Sequence, residues 1–239
     1  MDKIQEALIG LLKKYGVEFD RSMHMCRGWE FLNKELTSND VPLLSWRSNR
    51  KFFELHKITS GNVIENVCML RFCHLTDESF DLSALIYREF DLCEYIGQGK
   101  IISLHATITN NRSGSIIVKL DNGIICSVEV GNQLPCKSNV IDRHEIIAQR
   151  GVASDLVVDT QIPQHSIYTY TKNGFMRYKD VDNELFGLDE MEVEYVRSAF
   201  DLLKNPKQKD NYIRHHEHLS QLVNVAFVSN DERKKIVIG

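Results

Sequence analysis

Apolar residues recur along this chain with two periods, helical near both ends and strand-like in the middle. Ile4, Leu8, Leu11 and Leu12 share one helical face, lysines crowd the last turn and Gly16 supplies a stop, which predicts a first helix. In 17–48, Trp29, Phe31, Leu32 and Leu36 suggest a short helix, while Ser38-Asn39-Asp40 and Pro42 mark a loop. Asp81 to Ile96 repeats apolar positions at Leu82, Leu85, Ile86, Phe90 and Cys93, which gathers Ala84, Arg88, Asp91 and Tyr95 on a second stripe. The first ninety residues therefore read as mostly helical.

From Lys100 the period falls to two. Ile102, Leu104, Ala106 and Ile108 alternate with Ser103, His105, Thr107 and Thr109, the mark of a half-buried strand. Asn122-Gly123 and Asn173-Gly174 each sit between alternating runs and predict type I′ hairpins with positive φ at both central residues. The strand candidates are 101–109, 114–120, 123–131, 140–149, 155–160, 165–171 and 174–179, too closely spaced for crossover helices. Asp189 and Glu192 form a capping box opening a helix through Val193, Val196, Phe200 and Leu203 that ends at Asn205-Pro206. A last helix carries Leu219, Leu222, Val223, Ala226 and Phe227, and Ile236 to Ile238 adds a strand. Helices at the ends and strands between them predict an α+β fold, with a mainly antiparallel sheet and helices on one face.

Composition narrows the picture by exclusion. With 239 residues, a net charge of −4 and 43% apolar residues, the chain has material for a sizeable core and lacks a nucleic-acid binder's basic footprint. No apolar run approaches the roughly 20 residues of a membrane span, and Asp2, Glu6 and paired lysines break any secretory pattern at the start. The six cysteines, Cys26, Cys68, Cys73, Cys93, Cys126 and Cys136, show no C-x-x-C spacing and read as thiols in a reducing cytoplasm.

The motif search yields little. Gly97-Gln98-Gly99 follows a helix and precedes a strand, so it reads as a helix cap and turn and not as a phosphate loop. Arg214-His215-His216-Glu217-His218 lacks a second ligand pair and reads as a solvated helix start. His24 and Cys26 by themselves point to no chemistry. Arg88 and Asp91, three apart, read as a surface ion pair. Ser103, His105, Thr107, Ser127 and Glu129 give one sheet face a hydrogen-bonding character suited to a wet face, a subunit interface or a sugar platform, which Asp142, Arg143 and His144 extend.

The order of these motifs resembles the C-terminal part of the glucose-fructose oxidoreductase, inositol dehydrogenase and MocA family of NAD(P)-dependent dehydrogenases. The resemblance covers 81–239. It rests on the helix Asp81 to Ile96 before Gly97, the strands Ile101 to Asn110, Gly114 to Leu120 and Val128 to Gly131 around Asn122-Gly123, and the ending His218-Leu219, Val223, Ala226, Ser229, Arg233 and Ile236-Val237-Ile238. Asn49-Arg50, Phe53, Lys57 and Gly61-Asn62-Val63-Ile64 resemble the family's crossing from nucleotide domain to sheet. The resemblance implies a large open-faced sheet domain at 81–239 after a mostly helical lead-in at 1–80. It also implies sugar or polyol substrates. The family's glycine fingerprint and Glu-Lys-Pro lysine have no counterpart. Aligning its Asp-x-Gly-x-His-x-x-Asp segment on Asp91 puts Arg88 where the proton-transfer histidine belongs, and an arginine does not exchange protons near neutral pH.

The expectation is a non-catalytic binding or oligomerisation module without a cofactor of its own. Its candidate ligand residues are Arg88, Asp91, His105, Glu129, Arg143 and His144, with no metal site, and it associates through the open sheet face. The alternative is the substrate half of a split oxidoreductase whose NAD(P)-binding half is a separate polypeptide. A third reading is an unrelated enzyme working through His105, Glu129 or Arg143. Neither nucleic acid nor membrane is expected as a partner.

Overall fold

The computed structural model describes all residues but 1, 21, 62, 137, 156–165, 172–173 and 180–186, and gives only the backbone of 166–171 and 174–179. In chain order the elements are α1 (Lys3–Tyr15), β1 (His24–Arg27), β2 (Asp40–Leu43), α2 (Arg50–Ser60), β3 (Val67–Leu75), α3 (Leu82–Gly97), β4 (Ile101–Thr109), β5 (Ser113–Leu120), β6 (Ile125–Gly131), β7 (Ile141–Ala148), β8 (Gly151–Ser154), β9 (Ser166–Thr171), β10 (Gly174–Lys179), α4 (Glu190–Lys204), α5 (Lys209–Glu232) and β11 (Ile236–Val237). By contacts the residues fall into two units, Met1–Arg50 with Val181–Ser220, and Lys51–Asp180 with Gln221–Gly239. No helix among the described residues is long and apolar enough to cross a membrane.

The first unit buries Leu8 and Leu12 of α1 against Val41 and Leu43 of β2 and Val196, Ala199, Leu202 and Leu203 of α4. α1 follows its apolar period and closes at Gly16. The predicted capping box opens α4, with Asp189 Oδ1 accepting from Glu192 N and Glu192 Oε2 accepting from Asp189 N, both at 2.8 Å. Two readings are corrected here. The predicted short helix reduces to a 3-10 turn over Gly28–Phe31, and Asp40 and Pro42, read as loop, lie in β2, which pairs in parallel with β1. A two-stranded ladder leaves Pro42 a side on which its missing N–H costs nothing.

Among the described residues, the second unit is built on a nine-stranded sheet in the order β10-β9-β8-β7-β3-β6-β5-β4-β11. Every neighbouring pair is antiparallel except β3 with β6. β3 was not foreseen, yet it is the middle strand. Its alternation is hidden by chemistry, because Leu70, Phe72 and His74 turn inward while Arg71 and Cys73 turn outward, and a histidine in the inner row does not look apolar. α3 packs on the inner face against β3, β5 and β6 and is buried nearly all round, so the stripe holding Arg88 and Asp91 is not a solvent face.

Gly123 confirms the first hairpin and corrects its turn. Gly123 N donates to Leu120 O at 3.0 Å, Leu120 N donates to Ile124 O at 2.9 Å, and Gly123 alone of the loop takes positive φ (90°). This is a three-residue connection with glycine at the left-handed position, where a type I′ turn would have needed Asn122 there too. β9 and β10 pair with Thr171 opposite Gly174, as the second hairpin requires, although 172–173 lie outside the described residues. So do 156–160, most of the predicted strand 155–160. At the far edge β11 pairs with β4, and beyond it Ser229 Oγ and Asn230 Oδ1 of α5 accept from the backbone N–H groups of Ala106 (3.0 Å) and Ile108 (2.7 Å).

Candidate functional site

Strand register places the central cluster. In the antiparallel β3–β7 pair His74 lies opposite Asp142 and Phe72 opposite His144, and all four turn to the inner face. From α3 come Arg88 and Glu89, from α2 Lys51 and Phe52, and after β8 comes Asp155. Arg88 grips Asp142 with both nitrogens, Nη1 to Oδ1 at 2.8 Å and Nη2 to Oδ2 at 2.9 Å. The same Nη1 lies 2.7 Å from Glu89 Oε1 and 2.8 Å from His74 Nδ1, so its two hydrogens serve three acceptors. His144, fully buried, has Nε2 2.9 Å from Glu89 Oε2 and Nδ1 3.3 Å from Asp155 Oδ2. Lys51 Nζ closes the rim on Asp142 Oδ2 at 2.7 Å and Asp155 Oδ2 at 3.4 Å. Phe52 lies under both cations, 4.9 Å from the guanidinium and 4.6 Å from the ammonium, and meets the His144 ring edge-on.

The protonation states follow from this geometry. Both His144 nitrogens face carboxylates, which only accept, so the ring must donate twice and is an imidazolium. Burial opposes that charge, but Glu89 and Asp142, with hydrogen bonds to Asp155 and Glu89, outweigh it and raise its pKa above the ordinary 6.5. His74 goes the other way, its pKa lowered by burial and by the Arg88 charge. It is neutral, its Nδ1 accepts from Arg88, and its 3.2 Å approach to Glu89 is no ion pair. Burial disfavours the charged forms of Glu89 and Asp142, yet His144 and Arg88 beside Glu89, and Arg88 and Lys51 beside Asp142, hold both well below the usual carboxylate range. Two permanent cations face three carboxylates, and the imidazolium balances the charge.

His74, Glu89 and Asp142 place one ligand atom each within 4.8 Å of one another, as a metal site would. Arg88 Nη1 already stands within hydrogen-bond distance of all three, so the guanidinium supplies the positive charge there and the residues do not fit an added ion. Gly97 and Gly99 are packing glycines. A Cβ on Gly97 would meet Leu120 Cδ1 at 2.4 Å and one on Gly99 would meet Asp121 Oδ1 at 2.6 Å, so both serve close packing on the β5–β6 turn. Asn122 Nδ2 donates to Gly97 O at 2.7 Å, capping α3, and Gln98 takes the left-handed position expected of a glycine.

The predicted site residues part company across the sheet. Arg88 and His144 come together on the inner face, joined through Glu89 and Asp142. Asp91 is buried in α3 and so is Arg88, so neither lies at the surface where the predicted pair would sit, and Arg88 bonds Glu89 and Asp142. His105, Glu129 and Arg143 point to the opposite, open face. There His105 lines a cavity of about 530 Å³ with Thr107, Asn230, Asp231 and Arg233. Ser103, expected on that face, is buried. Among the histidines of α5, His216 is buried and its neighbours are not, so the run is solvated only in part. His74, Glu89, Lys51 and Asp155 escaped the sequence reading, because their roles exist only through cross-strand and helix–sheet contacts.

No family model and no curated protein matches this chain. Solved structures do, at probability 1.00. An oxidoreductase from Agrobacterium radiobacter, in complex with NAD+, L-tartaric acid and magnesium, matches with a TM-score of 0.65 at 11% identity, over 83% of this chain and 64% of its own. Levoglucosan dehydrogenase, in complex with NADH and L-sorbose, gives 0.66 at 12% over 82% and 65%. An inositol dehydrogenase homolog from Azotobacter vinelandii, complexed with NADH and myo-inositol, gives 0.59 at 8% over 83% and 64%. The fold is that of these oxidoreductases, as the motif order implied, and the chain spans less than two thirds of each.

Proposed function

We propose that this chain is a sugar- or polyol-binding module with an oxidoreductase fold that carries out no NAD(P)-dependent turnover by itself. The observation behind this reading is the bidentate Arg88–Asp142 pair, set in a charge-balanced cluster. A guanidinium cannot shuttle a proton, and the imidazolium of His144 is tied at both nitrogens to carboxylates, so the cluster holds shape and charge where the resemblance would call for acid–base chemistry. Its rim is Asp142, about a fifth exposed, with Lys51 beside it. A carboxylate and an ammonium already in register can bridge vicinal hydroxyls of a polyol.

Calorimetric titration of the purified chain with myo-inositol and hexoses tests this. Binding that weakens on Asp142→Asn, with no oxidation of added NADH or reduction of NAD(P)+, is the expected outcome. Turnover by the chain alone overturns the module. Binding untouched by Asp142→Asn but lost on His105→Ala moves the ligand to the open-face cavity. The share of each neighbour that the chain spans favours one second reading, a split enzyme, which requires turnover when a separately expressed nucleotide-binding polypeptide is added. The module associates with a second copy through the open sheet face.

A further inference from the structure

Neither His24 nor Cys26 carries meaning in the sequence by itself, yet in the structure they complete a constellation with Asp40, all within the first unit. His24 and Cys26 are two apart on β1, so their side chains share a face, and the parallel register sets Asp40 opposite His24. Cys26 Sγ lies 3.5 Å from His24 Nε2, and His24 Nδ1 lies 2.6 Å from Asp40 Oδ1. The second oxygen of Asp40 accepts Thr37 N at 2.7 Å, which fixes the carboxylate, and the Phe31 ring meets His24 edge-on at 5.9 Å. An ionised carboxylate can only accept, so Nδ1 carries the hydrogen and Nε2 presents its lone pair to the thiol. Thiol, base and orienting carboxylate thus stand in the order that nucleophilic catalysis requires.

We propose that Cys26, His24 and Asp40 form a thiol acyl-transfer site whose substrate is an ester or thioester. The His24 side chain is 65% exposed, so an external acyl group can reach the pair. The hydrogen bond from His24, with Thr37 N on the other oxygen, holds the Asp40 carboxyl down at about 2, which keeps it an acceptor across the working pH range. Burial, with the carboxylates of Glu30 and Asp40, raises the Cys26 thiol against the opposing charges of Lys34 and Arg27. Cys26 therefore rests as a neutral thiol and becomes a nucleophile as His24 takes its proton.

The chemistry balances without an oxidant. Sγ bonds to the acyl carbon as the bond to the ester oxygen or thioester sulfur breaks, and the thiol proton passes through Nε2 to the leaving alcohol or thiol. Water then adds to the acyl carbon, giving its proton through Nε2 to the departing thiolate, and the carboxylic acid leaves. Cys26 and His24 are the catalytic residues, and Asp40 is a positioning residue.

The test is acetylation of the full chain by p-nitrophenyl acetate, acid-quenched at short times before water removes the acyl group, and resolved by peptide mass at every cysteine. Cys68 and Cys136, both exposed, serve as internal references, and buried Cys93 and Cys126 report whether the chain is folded. The expected result is acetylation of Cys26 at least about tenfold faster than of Cys68 or Cys136, an excess abolished by His24→Gln. Asp40→Ala should remove most of the excess and Asp40→Glu restore part of it, a rescue that a merely structural role would not give. The proposal is overturned if Cys26 in the unaltered chain reacts no faster than the two references, a comparison that needs no variant to fold. It is equally overturned if His24→Gln, with Cys93 and Cys126 still protected, leaves the excess intact. None of these residues belongs to the Arg88 cluster, so the two functional readings stand or fall separately.

Discussion

Arg88 shows what one residue gains and loses by burial among carboxylates. Taking the guanidinium away leaves Asp142 without its main counter-charge and buried Glu89 with His144 alone, and breaking such a group typically costs about 3–5 kcal/mol. Urea unfolding of Arg88→Ala at neutral pH should show a loss of that order, and Arg88→Lys a smaller one, since it keeps the charge but not the fork. His144 makes a second prediction, with a sign. Its pKa is raised on folding, so its contribution is complete below the ordinary histidine value of 6.5 and is lost as pH rises through the folded value. Over that window stability should fall by up to about 1.4 kcal/mol per pH unit, and His144→Gln should flatten the slope. His74, lowered on folding, contributes in the opposite sense and loses its share as pH falls. Arg88 and His144 were legible one at a time in the sequence. Their connection was not, because Arg88 and Asp142 stand 54 positions apart and only the β3–β7 register aligns Asp142 with His74.

Among the elements, those that carry a local signal were readable and those that depend on distant partners were not. The capping box of α4, the glycine stop of α1 and the Asn122-Gly123 hairpin depend on chemistry a few residues wide, and each formed where that chemistry stood, while β9 and β10 pair on either side of the second predicted turn. β3 has no such marker, and its inner row ends in a histidine committed to the cluster. The parallel β1–β2 pair was missed because Asp40 and Pro42 look like loop residues unless a partner strand is known. The end of α3 gives the prediction at this scale. A methyl group at residue 97 would stand 2.4 Å from a Leu120 side chain that is itself fully buried, so Gly97→Ala should cost about 1–3 kcal/mol in chemical unfolding. Gln98→Gly, which relieves a left-handed residue, should stabilise by up to about 1 kcal/mol.

At the scale of the molecule, the sheet's two faces divide the labour. The inner face carries α3 and the charge cluster. On the open face Met69 and Ile125 stand opposite each other on β3 and β6, with Ile117 nearby on β5, all more than a third exposed. If the module pairs through this face, sedimentation velocity should show a dimer at rising concentration, and Ile117→Glu should return the chain to monomer with an unchanged melting temperature at concentrations where the unaltered chain is itself monomeric. A chain that stays monomeric at all concentrations would sink the association. The far margin of the same sheet has another consequence. A strand whose N–H groups are unclaimed is a template on which further strands can polymerise. Here β11 pairs with Leu104 and Ser103, Ile238 N just beyond it donates to Ile102 O at 2.9 Å, and the side chains of Ser229 and Asn230 take up the next two donors on β4. Two side chains at the end of one helix thus act as a terminator for sheet growth, and Ser229→Ala with Asn230→Ala would leave a folded protein with a seed for fibrils along its edge.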